Sequence, residues 1–280
     1  MKWEGRRGSG NIEDRRGMGM GVGLPLGGGI GGVVLLLIIS VLTGTNPLDY
    51  VGSPNAPSST GMSGVPDNDP QAQFIAVVLA DTEETWSEIF QQAGRSYEPP
   101  VLVLFEGATQ SGCGVGRSEV GPFYCPADQR VYLDLSFFRD LDQRFGAPGD
   151  FAQAYVVAHE VGHHIQTVLG TSEKVAQGRS SANPADANAL SVRMKLQADC
   201  YAGVWGRRAA QRGLLEAGDA EEGLNAAASI GDDRLQRMGQ GQVAPESFTH
   251  GSSAQRVQWL RRGLDDGSPD ACDTFSSAAR

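Results

Sequence analysis

The sequence predicts an α+β fold class: a small sheet and several helices behind one N-terminal transmembrane helix. Three observations predict it. An uncharged apolar run lies near the N-terminus, two short β-type runs follow, and beyond Gly149 the apolar spacing is helical for most of the remaining chain.

Residues 17–48 contain no charged side chain, and their centre, GGGIGGVVLLLIISVLTG, is about as long as a bilayer core requires, roughly 20 apolar residues. The run has no polar face, and no A-x-A cleavage site follows it. An uncleaved anchor over residues 24–44 is therefore expected, with the lipid bilayer as a partner. Residues 1–16 carry Lys2, Arg6, Arg7, Arg15 and Arg16 against Glu4, Glu13 and Asp14. The positive-inside rule then places residues 1–23 in the cytoplasm as a basic N-terminus, and the C-terminal domain on the extracytoplasmic side of a single-pass membrane protein. Gly27, Gly28, Gly31 and Gly32 make G-x-x-x-G spacings, a weak signal for a homodimer packed through its anchors.

Residues 45–73 are dense in Pro, Ser, Gly and Asn and read as a flexible linker. The folded domain is expected over 74–280. The net charge is −10 although the first 16 residues are basic on balance, and so acidic a body excludes a nucleic-acid partner, which would need Lys and Arg against phosphates. The four cysteines, Cys113, Cys125, Cys200 and Cys272, include no C-x-x-C pair. Outside the cytoplasm they read as two disulfides. The preferred pairing is Cys113–Cys125, which closes a short glycine-rich loop, with Cys200–Cys272.

Within the domain, FIAVVLADTEETWSEIFQQAG has helical spacing and stops at Gly94, and PPVLVLFEG is a short β-type run. In QRVYLDLSFF, Val131, Leu133 and Leu135 alternate with Tyr132, Asp134 and Ser136, the period of a half-buried strand. Asp150 and Gln153 suit a capping box ahead of a helix that Gly170 ends. Asn183 and Pro184 open the next long helix, and Asp219 with Glu222 suits another capping box. Trp205 and Trp259 fall on helices and read as core.

The first of those helices contains AYVVAHEVGHHIQ, an H-E-x-x-H pattern. His159 and His163, four residues apart, share a helix face and can converge on one ion. Glu160 is rotated by about 100° and is suited to reach a metal-bound water rather than the metal. In hydrolysis, zinc acidifies that water and the glutamate takes and returns its proton. His164 points off this face and reads as a packing residue.

The long helix after Pro184 continues to VRMKLQADCYAGVW. Together with GCGVGRSEVGPFYCPAD, VYLDLSFF, IGDDRLQ and SFTHGSSAQR, these segments resemble the neutral zinc metallopeptidase family of bacterial membrane-anchored proteins, over nearly the whole chain. The resemblance implies a zincin-like metallopeptidase domain of the gluzincin type, one Zn2+ per chain, and a peptide or protein substrate cut by a zinc-activated water. It implies a bacterial cell membrane as the location. It also implies a third zinc ligand, a glutamate four residues before Asp199. That position holds Lys195.

Four readings of Lys195 stay open. Asp199, one turn further on, serves as substitute ligand beside His159 and His163; the site binds zinc weakly through two histidines and water; the lysine ammonium takes the cation's place and leaves a catalytically impaired pseudo-peptidase that binds or scaffolds; or the lysine is a variant in an otherwise active protein. The family pattern gives Asp199 an orienting role behind a zinc ligand. His250, ahead of a helix capped by Ser252 and Gln255, is by the same resemblance a donor to the oxyanion, and otherwise a loop residue capping a carbonyl. Arg256 reads as ion-paired or exposed, and Asp232 and Asp233 as a helix start.

Overall fold

The computed structural model describes residues 1–17 and 62–276. The strands are β1 (Ile12–Asp14), β2 (Met62–Ser63), β3 (Val101–Phe105), β4 (Ala108–Ser111), β5 (Gly114–Arg117), β6 (Phe123–Cys125) and β7 (Arg130–Asp134). The helices are α1 (Pro70–Gln92), α2 (Ser136–Gln143), α3 (Asp150–Val168), α4 (Thr171–Ser181), α5 (Pro184–Gln211), α6 (Asp219–Ser229), α7 (Asp232–Gln240) and α8 (Ser253–Asp266).

Five strands form one sheet in the order β2-β1-β3-β7-β6, and β4 and β5 pair as a separate hairpin. β1, β3 and β7 run parallel, while β2 and β6 are antiparallel to their neighbours. β7 is therefore an interior strand. Tyr132 and Asp134 are buried along with Val131 and Leu133, so the alternation that suggests a half-buried strand runs through a strand covered on both faces. The strand ends at Asp134, whose carboxylate accepts from the Ser136 N–H and turns the chain into α2.

The largest departure from the sequence reading concerns the N-terminus. Residues 1–23 read as a basic tail separate from a domain starting at residue 74, but residues 1–17 belong to that domain. β1 lies inside the sheet: its Ile12 is 2% exposed, and Ile12, Glu13 and Asp14 pair with Leu102, Val103 and Leu104. Trp3 meets Phe74 edge-on at 5.5 Å, and Glu83 of α1 accepts from Ser9 Oγ and Asn11 Nδ2. Two of the basic groups that suggest a membrane-flanking tail are taken up in ion pairs: Arg15 with Glu13, and Arg16 with Asp14 and Asp69. Residues 62–73, read as linker, hold β2 and the first turn of α1, which Asp69 caps by accepting from Ala72 N. The expected anchor over 24–44 and its G-x-x-x-G pairs lie outside the described residues. Among the described residues no helix is long and apolar enough to cross a membrane.

The helices pack closely where glycines allow it. A Cβ on Gly263 of α8 would lie 2.0 Å from the Cys200 carbonyl oxygen of α5, and one on Gly203 would lie 2.2 Å from the Leu260 oxygen. Gly162, inside the H-E-x-x-H pattern, sits against Ala198 of α5, whose oxygen a Cβ would meet at 3.0 Å. Both disulfides form as expected, Cys113–Cys125 and Cys200–Cys272. Trp205 is fully buried and donates to Asp81, and Trp259 is buried too.

The caps agree in part. Asn183 and Ser252 cap their helices, the latter with a complete capping box through Gln255. Asp150 and Asp219 do not: each is the first helical residue after a glycine. The Phe151 N–H at the start of α3 is satisfied instead by Glu222 Oε2 of α6, at 3.1 Å.

Candidate metal centre

The close approach of α3 and α5 at Gly162 and Ala198 brings the two sequence motifs together. His159, Glu160 and Lys195 open on a cleft of about 600 Å³, whose walls include Phe137, Phe145, Val156, Leu235 and Met238. His250 and Arg256 also line it.

His159 and His163 are buried, with ring centroids 4.8 Å apart. His159 Nδ1 lies 2.7 Å from Asp199 Oδ1. Burial, opposed by Asp199, brings the imidazole pKa down to about 4, so near neutrality the ring is neutral. A neutral ring facing a carboxylate carries its proton on Nδ1, which leaves the Nε2 lone pair free to face the site. His163 is arranged in the same way. Its Nδ1 lies 2.7 Å from Gln166 Oε1, and the Gln166 amide is oriented by donating to Met194 O and Gln197 Oε1. Gln197 in turn donates to Cys272 O, so the Cys200–Cys272 disulfide sits at the end of the chain of contacts that aims His163.

Asp199, expected either as a substitute metal ligand or as an orienting group, stands behind His159 in a dense set of hydrogen bonds. Its Oδ1 receives Tyr155 OH at 2.6 Å, Arg256 Nη2 at 2.9 Å and His159 Nδ1, while Oδ2 receives Arg256 Nε at 2.9 Å. The carboxylate is fully buried, and the Arg256 guanidinium and His159 outweigh burial to hold its pKa well below the usual range. Oδ1 orients His159, and both oxygens are held by Arg256. Arg256 is accordingly ion-paired, at 3% exposure.

Lys195 lies on the cleft side of α5, and its Nζ is 2.9 Å from His163 Nε2, the atom that would ligate a metal. Burial lowers the lysine pKa, opposed by Glu160. Glu160 is buried, and one of its carboxylate oxygens, Oε2, has no hydrogen-bond partner. Burial pushes its pKa up to about 7, against the pull of Lys195 and Arg256.

A catalytic zinc takes three protein ligands and one open position. The residues present do not fit that requirement: two imidazole nitrogens face the site, Asp199 is engaged, and the third position carries a hydrogen-bond donor. Among the described residues, three or more metal-ligating side chains gather only at Asp150, Asp219 and Glu222, where the Met1 ammonium lies 2.7 Å from Asp150 and 3.4 Å from Asp219.

His250 is half exposed at the cleft margin. Its loop is held by Asp232, whose Oδ2 accepts the N–H groups of Thr249, His250 and Gly251. Asp232 is thus more than the start of α7. His164 is packing, as expected, buried between Tyr97 and Tyr124 with Nε2 2.8 Å from the Glu98 carbonyl oxygen. The sequence reading did not single out Tyr155, Gln166 or Gln197. Tyr155 and Gln166 each lie within a turn of a motif histidine, the one signal that could have marked them.

The family model described as "Putative neutral zinc metallopeptidase" matches residues 1–275. The protein YpfJ of Escherichia coli (strain K12), itself uncharacterized, is 51% identical over 290 residues, covering 99% of this chain and all of YpfJ. The uncharacterized protein Rv2575 of Mycobacterium tuberculosis (strain ATCC 25618 / H37Rv) is 41% identical over 217 residues, 74% of this chain and 72% of its own. No solved structure matches the chain.

Proposed function

The chain belongs to this zinc metallopeptidase family, and from that premise we propose that it is a catalytically impaired member, a peptide-binding protein in which the Lys195 ammonium stands where the metal would. The observation that carries this reading is the 2.9 Å contact between Lys195 Nζ and His163 Nε2, with both oxygens of Asp199 already engaged. A protonated amine donates to that imidazole lone pair, and its charge repels a second cation at the same place. The cleft keeps an apolar wall of Phe137, Phe145, Val156, Leu235 and Met238 suited to peptide side chains.

A second reading, a working zinc peptidase, is favoured by one observation. The buried Glu160, unpartnered at Oε2 beside two neutral imidazoles, is the proton-transfer group such a hydrolase needs. It requires the site to be completed by water, or by Lys195 as a neutral amine, the form that burial favours. His250 would then donate to the oxyanion from the cleft margin.

Elemental analysis of the purified full chain separates the two. Less than about a tenth of a zinc per chain is expected on the impaired reading. One zinc per chain, accompanied by zinc-dependent cleavage of an unfolded protein substrate, would establish the second and overturn the first.

A further inference from the structure

We propose that the cleft holds an extended, uncharged stretch of polypeptide, gripped through the backbone of one residue. Lys195 donates to that residue's carbonyl oxygen, Glu160 accepts its N–H, and a large apolar side chain of the segment rests against Phe137, Phe145, Leu235 and Met238. This names the ligand of the peptide-binding reading and rests on that reading.

The two polar groups that carry the grip both line the cleft, and each has capacity to spare. The Lys195 amine is half-buried and meets His163 Nε2. An amine carries at least two hydrogens, so one more remains to be donated whether or not the group is charged. Glu160 Oε2 is buried without a partner. A buried acceptor left unmade is costly, and a carboxyl group accepts in its neutral and in its charged form. An extended chain turns the N–H and the C=O of one residue to the same side, which is how antiparallel strands exchange a pair of bonds. A single such residue therefore offers an acceptor to Lys195 and a donor to Glu160.

The walls fix the rest of the ligand's chemistry. Phe137 comes from α2, and Leu235 and Met238 come from α7. Met238 is 52% exposed, and Val120, which lines the same cleft, is 76% exposed. Large apolar side chains left in water along one cleft mark a surface that a partner covers. The charges exclude a chain end. A terminal carboxylate would face Glu119, Asp140 and Glu160, while the buried cation Arg256 is taken up by Asp199. A terminal ammonium would face Lys195 and Arg144.

The test titrates the full chain with dye-labelled heptapeptides, capped at both ends, and reads fluorescence anisotropy. Leucine, phenylalanine or serine stands at the centre of a Gly-Ser frame, with the central nitrogen either free or N-methylated. Zinc is measured on the same sample. The leucine and phenylalanine peptides should bind at least about 10-fold more tightly than the serine peptide. N-methylation, which removes the central N–H, should cost about 10-fold. Glu160→Ala should abolish that penalty, whereas Glu160→Gln, whose side-chain oxygen still accepts, should keep it. An equal penalty in the parent chain and in Glu160→Ala would overturn the proposal. So would the lack of any preference for an apolar centre, or tighter binding of a peptide with a free carboxylate. A zinc-free chain that binds none of the peptides by about 1 mM would also overturn it, while leaving the impaired reading intact. Zinc-dependent cleavage of the peptides would end both.

Discussion

Lys195 Nζ lies 2.9 Å from His163 Nε2, while on the far side of the same imidazole Nδ1 is held 2.7 Å from Gln166 Oε1. The ring is thus aimed as a metal ligand is aimed and met by the Lys195 amine. Lys195→Glu replaces that donor with a carboxylate. It should raise zinc affinity by at least about 100-fold, since even contacts behind the ligands are worth 10- to 100-fold. Competition against a chelating dye measures this, and equal affinity in the two proteins would show that Lys195 is not what limits binding.

Asp199 and Arg256 form a buried ion pair, and removing one partner leaves the other charge without compensation. Asp199→Asn should cost about 3–5 kcal/mol in urea unfolding. Arg256→Met should cost a similar amount. The double variant should lose clearly less than the two together, because the second change removes a charge the first has stranded. Strict additivity would mean the pair is not coupled.

Glu160 gives the stability a signed pH dependence. Its pKa in the folded chain is about 7, raised by burial, whereas the unfolded side chain titrates near 4.5. The fold favours the neutral form, so this contribution is fully present below about pH 4.5 and is lost as pH rises through 7. Glu160→Gln removes the penalty. Relative to the parent chain it should gain stability as pH rises from about 4.5 through 7, levelling at roughly 3–3.5 kcal/mol. A difference that does not vary over that range would refute the assignment.

Gly203 and Gly263 set the crossing of α5 and α8, and through it the placement of Arg256 against Asp199. A methyl group on Gly263 would meet the backbone at Cys200, which cannot rotate away. Gly263→Ala should therefore cost about 3 kcal/mol or more, at the upper end of overpacking changes. Thermal unfolding measures it. Gly239→Ala, where a Cβ meets nothing within 4 Å, should change little and serves as the control.

Ile12 tests whether the N-terminal residues are part of the fold. It is buried in β1, and Ile12→Ala should lower stability by about 2–5 kcal/mol, as deletions in a packed core do. A change under about 0.5 kcal/mol, the range of surface positions, would mean that β1 is dispensable.

By itself the sequence determined what short-range periodicity and residue chemistry can carry. The i, i+4 spacing of His159 and His163 placed both imidazoles on one helix face, and the same spacing put Lys195 one turn from Asp199. The departure at Lys195 was visible as a residue type, before any geometry. Helix starts at Asn183 and Ser252 were legible because a cap is a contact across three residues.

What only the tertiary structure decided involves partners far apart in the chain. Asp199 is held by Tyr155 and Arg256, 44 and 57 residues away, so its surroundings could not be read locally. Glu222 satisfies the start of α3 across 71 residues, where the local pattern pointed to Asp150. β1 is three residues long and carries two acidic side chains, so it has no hydrophobic alternation to announce it. It becomes a strand because β2 and β3 supply its hydrogen bonds. Backbone pairing of that kind depends on which chains lie alongside, and that is settled only when the sheet assembles.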